Sequence, residues 1–414
     1  MHILILDTIH GGTVIGEALV RMGHTIDLID VYRGDRSHQK SIDPGAARER
    51  RYDILIHPVH LDPSYDLLRT QFCPTITHHE AVRWILGELN PPLKSMNHQL
   101  IEITGTRGKT TTGAALASIL PGTGILHTSQ GTIRYPDKEF LTRMSITPAS
   151  LIPVISYLNN GDWIIAEISL GFIGISDLAI LTSDEDYPVA ACRLSAYEIK
   201  RTSALRSTCL LVPPGVKTSH ENQIDAGDIA TISGTSCRYA YQNMNGEFEN
   251  PLFALEGYRT PLLLATVASL ILGYRPDHLC QFSSLPGRMK VSHESERIII
   301  DNASTGACLK TTRDAIKLLR QTYTHGPYSL VIGQEERAVC ENFPGVDIIT
   351  AIKTEKPDAV FLVTGDERLD VDTIIRQCTE DSIPVCIAPT REEGLNAARN
   401  HSNYAIVVSV KTWR

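Results

Sequence analysis

The sequence predicts an α/β chain made of three successive segments, each built on a largely parallel sheet. Short apolar runs such as Ile3–Leu6, Trp163–Ala166 and Ala359–Val363 alternate with longer stretches of helical spacing, as expected of strands covered on both faces. The length, 414 residues, suits two to three domains at roughly 150 residues each. Leu100–Ala117 reads as a strand, a glycine turn and a helix, which is the junction such folds repeat.

The first segment, 1–95, opens with a buried strand at His2–Asp7, a turn at Gly11-Gly12 and an amphipathic helix over Val14–Met22 that ends at Gly23. Thr25–Asp30, Tyr52–His57 and Pro74–Thr77 supply further strands, with helices at Ser64–Arg69 and Glu80–Leu86. Nine of the fifteen histidines precede residue 99. His10, His57, His60, His78 and His79 each follow a predicted strand end, and those carboxyl edges line the ligand crevice of an open parallel sheet. These imidazoles either cap strand ends at the surface or, with Gly11 and Gly12, form a pocket for a polyanionic or metal-bearing substrate.

Pro91-Pro92 and Lys94–Gln99 read as a linker into the second segment, 96–290. There the N–H groups of Gly105, Thr106, Arg107 and Gly108 converge at a helix N-terminus, where the dipole also favours anions. Lys109 would reach the outer phosphates and the hydroxyl of Thr110, followed by Thr111, would hold Mg²⁺. Ile103 stands five residues before Gly108, where the general phosphate loop has glycine. Strands follow at Gly124–His127 and Gly131–Tyr135, then a helix start with Thr147 as N-cap and Pro148 at the first position. Asp162–Ser169 is a buried strand with Glu167 at its carboxyl end, an oxygen ligand suited to Mg²⁺. Asp177–Leu181 leads into a polar loop holding Asp186, and Ser195–Leu205 is a helix carrying Lys200. Thr208–Val212 continues the sheet, residues 216–252 are β or irregular, and Thr260–Leu272 is an apolar helix. Ser284–Arg288 reads as a glycine hinge bearing a cation.

In the third segment, 291–414, the strand Arg297–Asn302 ends in Asp301-Asn302. Strands at Ser329–Gly333, Ala359–Thr364, Val385–Ala388 and Tyr404–Val410 alternate with helices in a doubly wound pattern. Lys356-Pro357-Asp358 precedes its strand, so it reads as a helix-to-strand turn and not as a nucleotide-base reader.

Bulk properties exclude some classes. A net charge of −8 argues against a broad nucleic-acid surface, and no apolar run approaches the ~18 residues of a membrane span. Nine scattered cysteines without Cys-x-x-Cys, and a start that meets Asp7 early, predict a cytoplasmic chain with reduced thiols. The expected partner is a small molecule; monomer and homo-oligomer are both compatible with the sequence.

Thr104-Gly-Thr-Arg-Gly-Lys-Thr110 resembles the nucleotide loop of the Mur ligase family, and that resemblance accounts for the unusual glycine spacing. Ile146-Thr147-Pro148, Glu167-Ile168-Ser169, Gly287-Arg288 and Asp301-Asn302-Ala303 are similar, in the same order, to further family elements. The resemblance implies a three-domain Mur ligase architecture: a Rossmann-like N-terminal domain for substrate, a central P-loop ATPase domain and a Rossmann-like C-terminal domain. It implies ATP and Mg²⁺ as cofactors, an acyl phosphate intermediate, Glu167 as metal ligand, and Arg288, Asp301 and Asn302 at the nucleotide. Two family histidines are replaced, by Gly171 and by Tyr187 beside Asp186. Lys200 lies near the lysine that many members carbamylate, so it is either such a site or a plain structural lysine. The opening Leu6–Gly12 with Asp30-Val31-Tyr32 is similar to members that close a carbocyclic ring on a nickel tetrapyrrole, using a propionate side chain. Alternatives are an amide ligase using an amino acid or amine, and a non-enzymatic nucleotide switch.

Overall fold

The computed structural model describes the chain apart from residues 35–36, 89–97, 159–160, 305, 324–325, 336–342, 366–368, 402–403 and 413–414, and the side chain of residue 322. Of the expected linker, Pro91-Pro92 and Lys94–Gln99, residues 91–97 lie outside the described residues, and Gln99 already opens a strand. The described residues form two compact units, Met1–Asn250 with Thr260–Gln281, and Pro251–Arg259 with Phe282–Arg414.

The first unit holds two large sheets. One has four parallel strands in the order Thr25–Ile29, His2–Leu6, Ile54–His57, Thr75–Thr77. The chain reverses its winding direction between His2–Leu6 and Ile54–His57, so the loops after these two strands border the switch point. The helix Gly12–Arg21 packs Ile15, Ala18 and Leu19 onto Ile3, Ile5, Ile26 and Leu28. Gly12 is needed there, because a Cβ would sit 1.7 Å from the Asp7 carbonyl oxygen. The helix predicted from Glu80 starts at His78: Thr77 accepts from Glu80 N while its own N–H donates to the Glu80 carboxylate, a reciprocal cap.

The second sheet has eight strands, in the order Gln223–Asp225, Leu210–Val212, Leu178–Leu181, Gln99–Thr104, Trp163–Glu167, Gly124–Thr128, Gly131–Tyr135, Glu139–Thr142. The first six run parallel and the last two antiparallel. Gln99–Thr104 and Trp163–Glu167 are therefore central neighbours, which brings the phosphate loop and Glu167 to one edge. Residues 230–249, expected to be β or irregular, form a three-stranded antiparallel sheet.

The helix expected from Thr260 starts at Glu256 and runs to Ile271 with Pro261 inside it. Proline suits a first helical turn, and here it lies in the second. The second unit is a six-stranded sheet ordered Lys290–Glu294, Arg297–Asp301, Ala405–Lys411, Ser329–Gln334, Ala359–Thr364, Val385–Ala388. Only the first pair is antiparallel. Val331, Phe361, Val363, Ile406 and Val408 form its core with Leu395 and Ala398 of the helix Arg391–His401. Lys356 and Asp358 sit in the turn between the helix Gly345–Glu355 and the strand Ala359–Thr364, as expected. Among the described residues no helix is long and apolar enough to cross a membrane.

Candidate functional site

The strand Gln99–Thr104 hands over to the helix Lys109–Ala117 through Gly105 (φ 148°) and Gly108 (φ 83°). Both dihedrals lie where side chains are strained, and a Cβ on Gly105 would meet Thr182 Oγ1 at 2.1 Å. The loop is braced from the next parallel strand. Thr106 N and Arg107 N donate to Ser183 Oγ (2.9 and 3.3 Å), Thr106 Oγ1 donates to Glu185 O (2.7 Å), and Arg107 pairs with the Glu185 carboxylate. The Thr182 hydroxyl donates to Arg107 O.

Lys109 Nζ donates to Gly105 O at 2.9 Å and stands 3.8 Å from Glu167 Oε1. Glu167, 3 % exposed, accepts from Thr110 Oγ1 (2.7 Å) and from Ser129 N (3.1 Å). Thr111 is buried in the first helical turn. A buried carboxylate beside two hydroxyls, those of Thr110 and Ser129, is an all-oxygen donor set that fits Mg²⁺. The loop amides at a nine-residue helix N-terminus fit phosphate.

Lys200 is 1 % exposed. Its Nζ donates to Thr106 Oγ1 (2.8 Å) and lies 4.8 Å from the centroid of the Tyr187 ring. The negative face of an aromatic ring favours a cation there. Asp186 lies against the start of the helix Ala196–Ala204, which carries Lys200, and accepts from Tyr187 N and Tyr197 N (2.8 and 2.9 Å); the Tyr197 amide, first among several donors, holds its carboxyl below the usual range.

Thr147 caps the 3-10 turn Pro148–Ser150, ahead of the helix Leu151–Ser156, but its side chain makes no cap bond. Instead its hydroxyl joins those of Ser145 and Ser150 (3.1 and 3.3 Å). This segment touches the first sheet: a Cβ on Gly11 would meet Ala149 Cβ at 2.4 Å and Thr147 Oγ1 at 3.1 Å. Ser169 N donates to Ile146 O (2.8 Å), so the segment also rests on the Glu167 strand end.

The histidines divide. His10 Nδ1 donates to Asp7 Oδ2 (2.8 Å), and its ring lies edge-on to His60 (4.5 Å) and Tyr32 (5.1 Å). His57 Nδ1 donates to Pro58 O, and His57 and His79 line a cavity of about 400 Å³ with Leu170, Leu194, Ile199 and Arg206. Thr8, Thr13, Asp30, Arg33 and His38 line another, of about 490 Å³. His78 does not reach the crevice as expected. The reciprocal cap pulls it into the helix, where it is 1 % exposed and donates to Leu6 O. His79 is also buried and donates to Ser169 O (3.0 Å). Burial pushes His60 and His79 down to about 4 and His78 to about 3. Among the described residues no three His, Cys, Asp or Glu side chains are placed to share a metal ion.

In the second unit Asp301 accepts from Ala303 N (3.1 Å) and pairs with Arg391 (3.2 Å). Asn302, expected at the nucleotide, is buried, and its side-chain amide donates to Ser409 Oγ (3.3 Å), which ties two adjacent strands. The Arg288 carbonyl accepts from Tyr258 Oη (2.5 Å), and Leu285 N donates to that same hydroxyl (2.9 Å), fixing the predicted hinge to the start of the long helix.

Sequence reasoning missed Ser129, Ser183, Glu185 and Glu102. The fully buried Glu102 accepts from four successive amides, Ile173 to Ser176 (2.6 to 3.2 Å), and so holds the loop that follows Glu167-Ile-Ser169. A carboxylate inside an otherwise apolar strand was the available signal.

Residues 291–412 match the family description "Coenzyme F430 synthetase CfbE, C-terminal domain". Two relatives, both named coenzyme F(430) synthetase, extend the likeness. That of Methanosarcina acetivorans is 29% identical over 402 residues, covering 82% of this chain and 84% of its own. That of Methanocaldococcus jannaschii is 22% identical over 367 residues with the same coverage. Among solved structures, MurF from Acinetobacter baumannii superposes with a TM-score of 0.61 at 14% identity, covering 87% of this chain and 82% of its own, which shows the fold. The chain therefore has the Mur ligase fold and is similar over most of its length to the coenzyme F(430) synthetases.

Proposed function

We propose that the protein closes a carbocyclic ring on a nickel seco-tetrapyrrole, activating a propionate side chain as its acyl phosphate with release of ADP and phosphate. The observation that carries the activation step is the cluster of Lys109, Thr110, Ser129 and Glu167 at one edge of the central sheet. A carboxylate and the γ-phosphate of ATP repel each other, and Lys109 offsets the charge that develops on transfer. Thr110 and Glu167 would hold Mg²⁺, which neutralises phosphate oxygens when bound. Gly105 to Thr111 would cradle the phosphates. The relatives' name and the crevice of the first sheet, with His10 and His57 at its edge and Thr147 against it, support a tetrapyrrole acid as substrate.

Lys200 acts as an ammonium donor to Thr106, which steadies the loop; Tyr187 offers it a π face and no second imidazole. The test is incubation with ATP, Mg²⁺ and the nickel seco-tetrapyrrole acid, following ADP and the tetrapyrrole absorbance together. Both should change without an added amine. ADP release that instead requires an amino acid would establish the amide-ligase alternative.

A further inference from the structure

Carbon–carbon closure onto an acyl phosphate must dispose of one proton, and the first sheet holds a side chain arranged to take it. Asp7 ends the strand His2–Leu6 fully buried, with φ 86°, a conformation costly for a residue with a Cβ. The turn aims its carboxylate at the loop: it accepts from Ile9 N (2.8 Å), His10 N (3.1 Å) and His10 Nδ1 (2.8 Å). A carboxylate only accepts, so His10 carries a proton on Nδ1, and in the neutral ring the lone pair is then on Nε2. His10 is held by a carboxylate, whereas His57, His78 and His79 donate to backbone carbonyls.

Position agrees with chemistry. His10 stands at the switch point of the sheet, against His60, which burial keeps uncharged near neutrality, and Tyr32. Its neighbour Gly11 abuts Thr147 and Ala149, and Ile146 accepts from Ser169 N, two residues past Glu167. The dyad thus adjoins the segment that borders the activation site, with both in one compact unit.

We propose that His10 is the general base of the ring-forming step and Asp7 its positioning residue, an inference that rests on the ring-closing reading above. The carbon nucleophile forms its bond to the acyl carbon, and the acyl C–O bond to phosphate breaks. Phosphate leaves with that electron pair, and the hydrogen on the attacking carbon passes as a proton to His10 Nε2. No oxidant or reductant is required.

The test uses the full chain with ATP, Mg²⁺ and the nickel seco-tetrapyrrole acid. Ring closure is read by absorbance and acyl phosphate by hydroxylamine trapping. His10→Ala should slow ring closure by about a hundredfold or more, as for loss of a general base. Hydroxamate trapped per ring closed should rise, and added imidazole should restore part of the closure rate. Asp7→Asn should slow closure about tenfold, and Asp7→Asn combined with His10→Ala should be no slower than His10→Ala. Closure by His10→Ala within threefold of wild type overturns the proposal. So does loss of closure with no hydroxamate and no imidazole rescue, which assigns His10 to binding or folding. If the wild-type chain forms neither hydroxamate nor ring, the ring-closing reading itself fails and this inference falls with it.

Discussion

Thr110 Oγ1 donates to Glu167 Oε2 across 2.7 Å, joining the first turn of the phosphate-loop helix to the end of the neighbouring strand. The two residues are 57 positions apart, and the parallel pairing of Gln99–Thr104 with Trp163–Glu167 brings them together. A hydroxyl and a buried carboxylate held so closely are an oxygen donor pair of the kind that suits Mg²⁺.

Glu167→Gln keeps the volume and removes the charge. Turnover should fall about a hundredfold, and the Mg²⁺ concentration for half-maximal ADP release should rise about tenfold. A Mg²⁺ titration of ADP release measures both; an unchanged Mg²⁺ requirement removes Glu167 from the metal site.

Lys109→Ala deletes the cation that, on the proposed reading, would meet the outer phosphates. ADP formation should drop on the order of a thousandfold. Retention of tetrapyrrole-dependent turnover at a tenth of wild type would falsify its role.

Lys200→Met tests whether the lysine serves as ammonium or as carbamate. If the ammonium donates to Thr106, loss of activity is not restored by adding formate or other short carboxylates, and the intact mass of the native chain shows no labile 44-dalton adduct under bicarbonate. Rescue by a carboxylate would instead favour a carbamate ligand.

Gly105→Ala meets both a left-handed φ and Thr182 Oγ1 at 2.1 Å, whereas Gly23→Ala meets a φ of 86° with nothing within 4 Å. Denaturant melts should place Gly105→Ala about 2 kcal/mol below wild type and Gly23→Ala about 1 kcal/mol below. Equal losses would show that the loop has room to relax.

Stability should also depend on pH through the buried histidines. The pKa values of His60, His78 and His79 are lowered to about 4, about 3 and about 4, from 6.5. Above pH 6.5 folded and unfolded chains both hold neutral rings, so nothing is lost. Below it the unfolded chain binds protons that the folded one refuses, and stability falls from pH 6.5 down to about 4 for His60 and His79 and to about 3 for His78. The slope is up to about 1.4 kcal/mol per pH unit for each histidine. Urea midpoints at pH 7 and pH 5 measure the drop, and a His78→Gln/His79→Gln variant should narrow it.

The sequence alone carried the α/β class, the strand–glycine–helix loop and Lys109, Thr110 and Glu167 as candidate residues. Strand periodicity and glycine turns are local properties, and the loop's chemistry is written in consecutive residues. The tertiary structure alone decided which histidines face a crevice. His10 and His78 look alike as residues after strands. The Thr77–Glu80 cap winds His78 into a helix and buries it, whereas the strained Asp7 turn leaves His10 at the edge on a carboxylate. Ser129, Ser183 and Glu102 became legible only with strand order, because each acts on a residue dozens of positions away through pairings that no local pattern records. Periodicity tells which face a residue takes; what that face meets depends on the register and crossing order of distant strands.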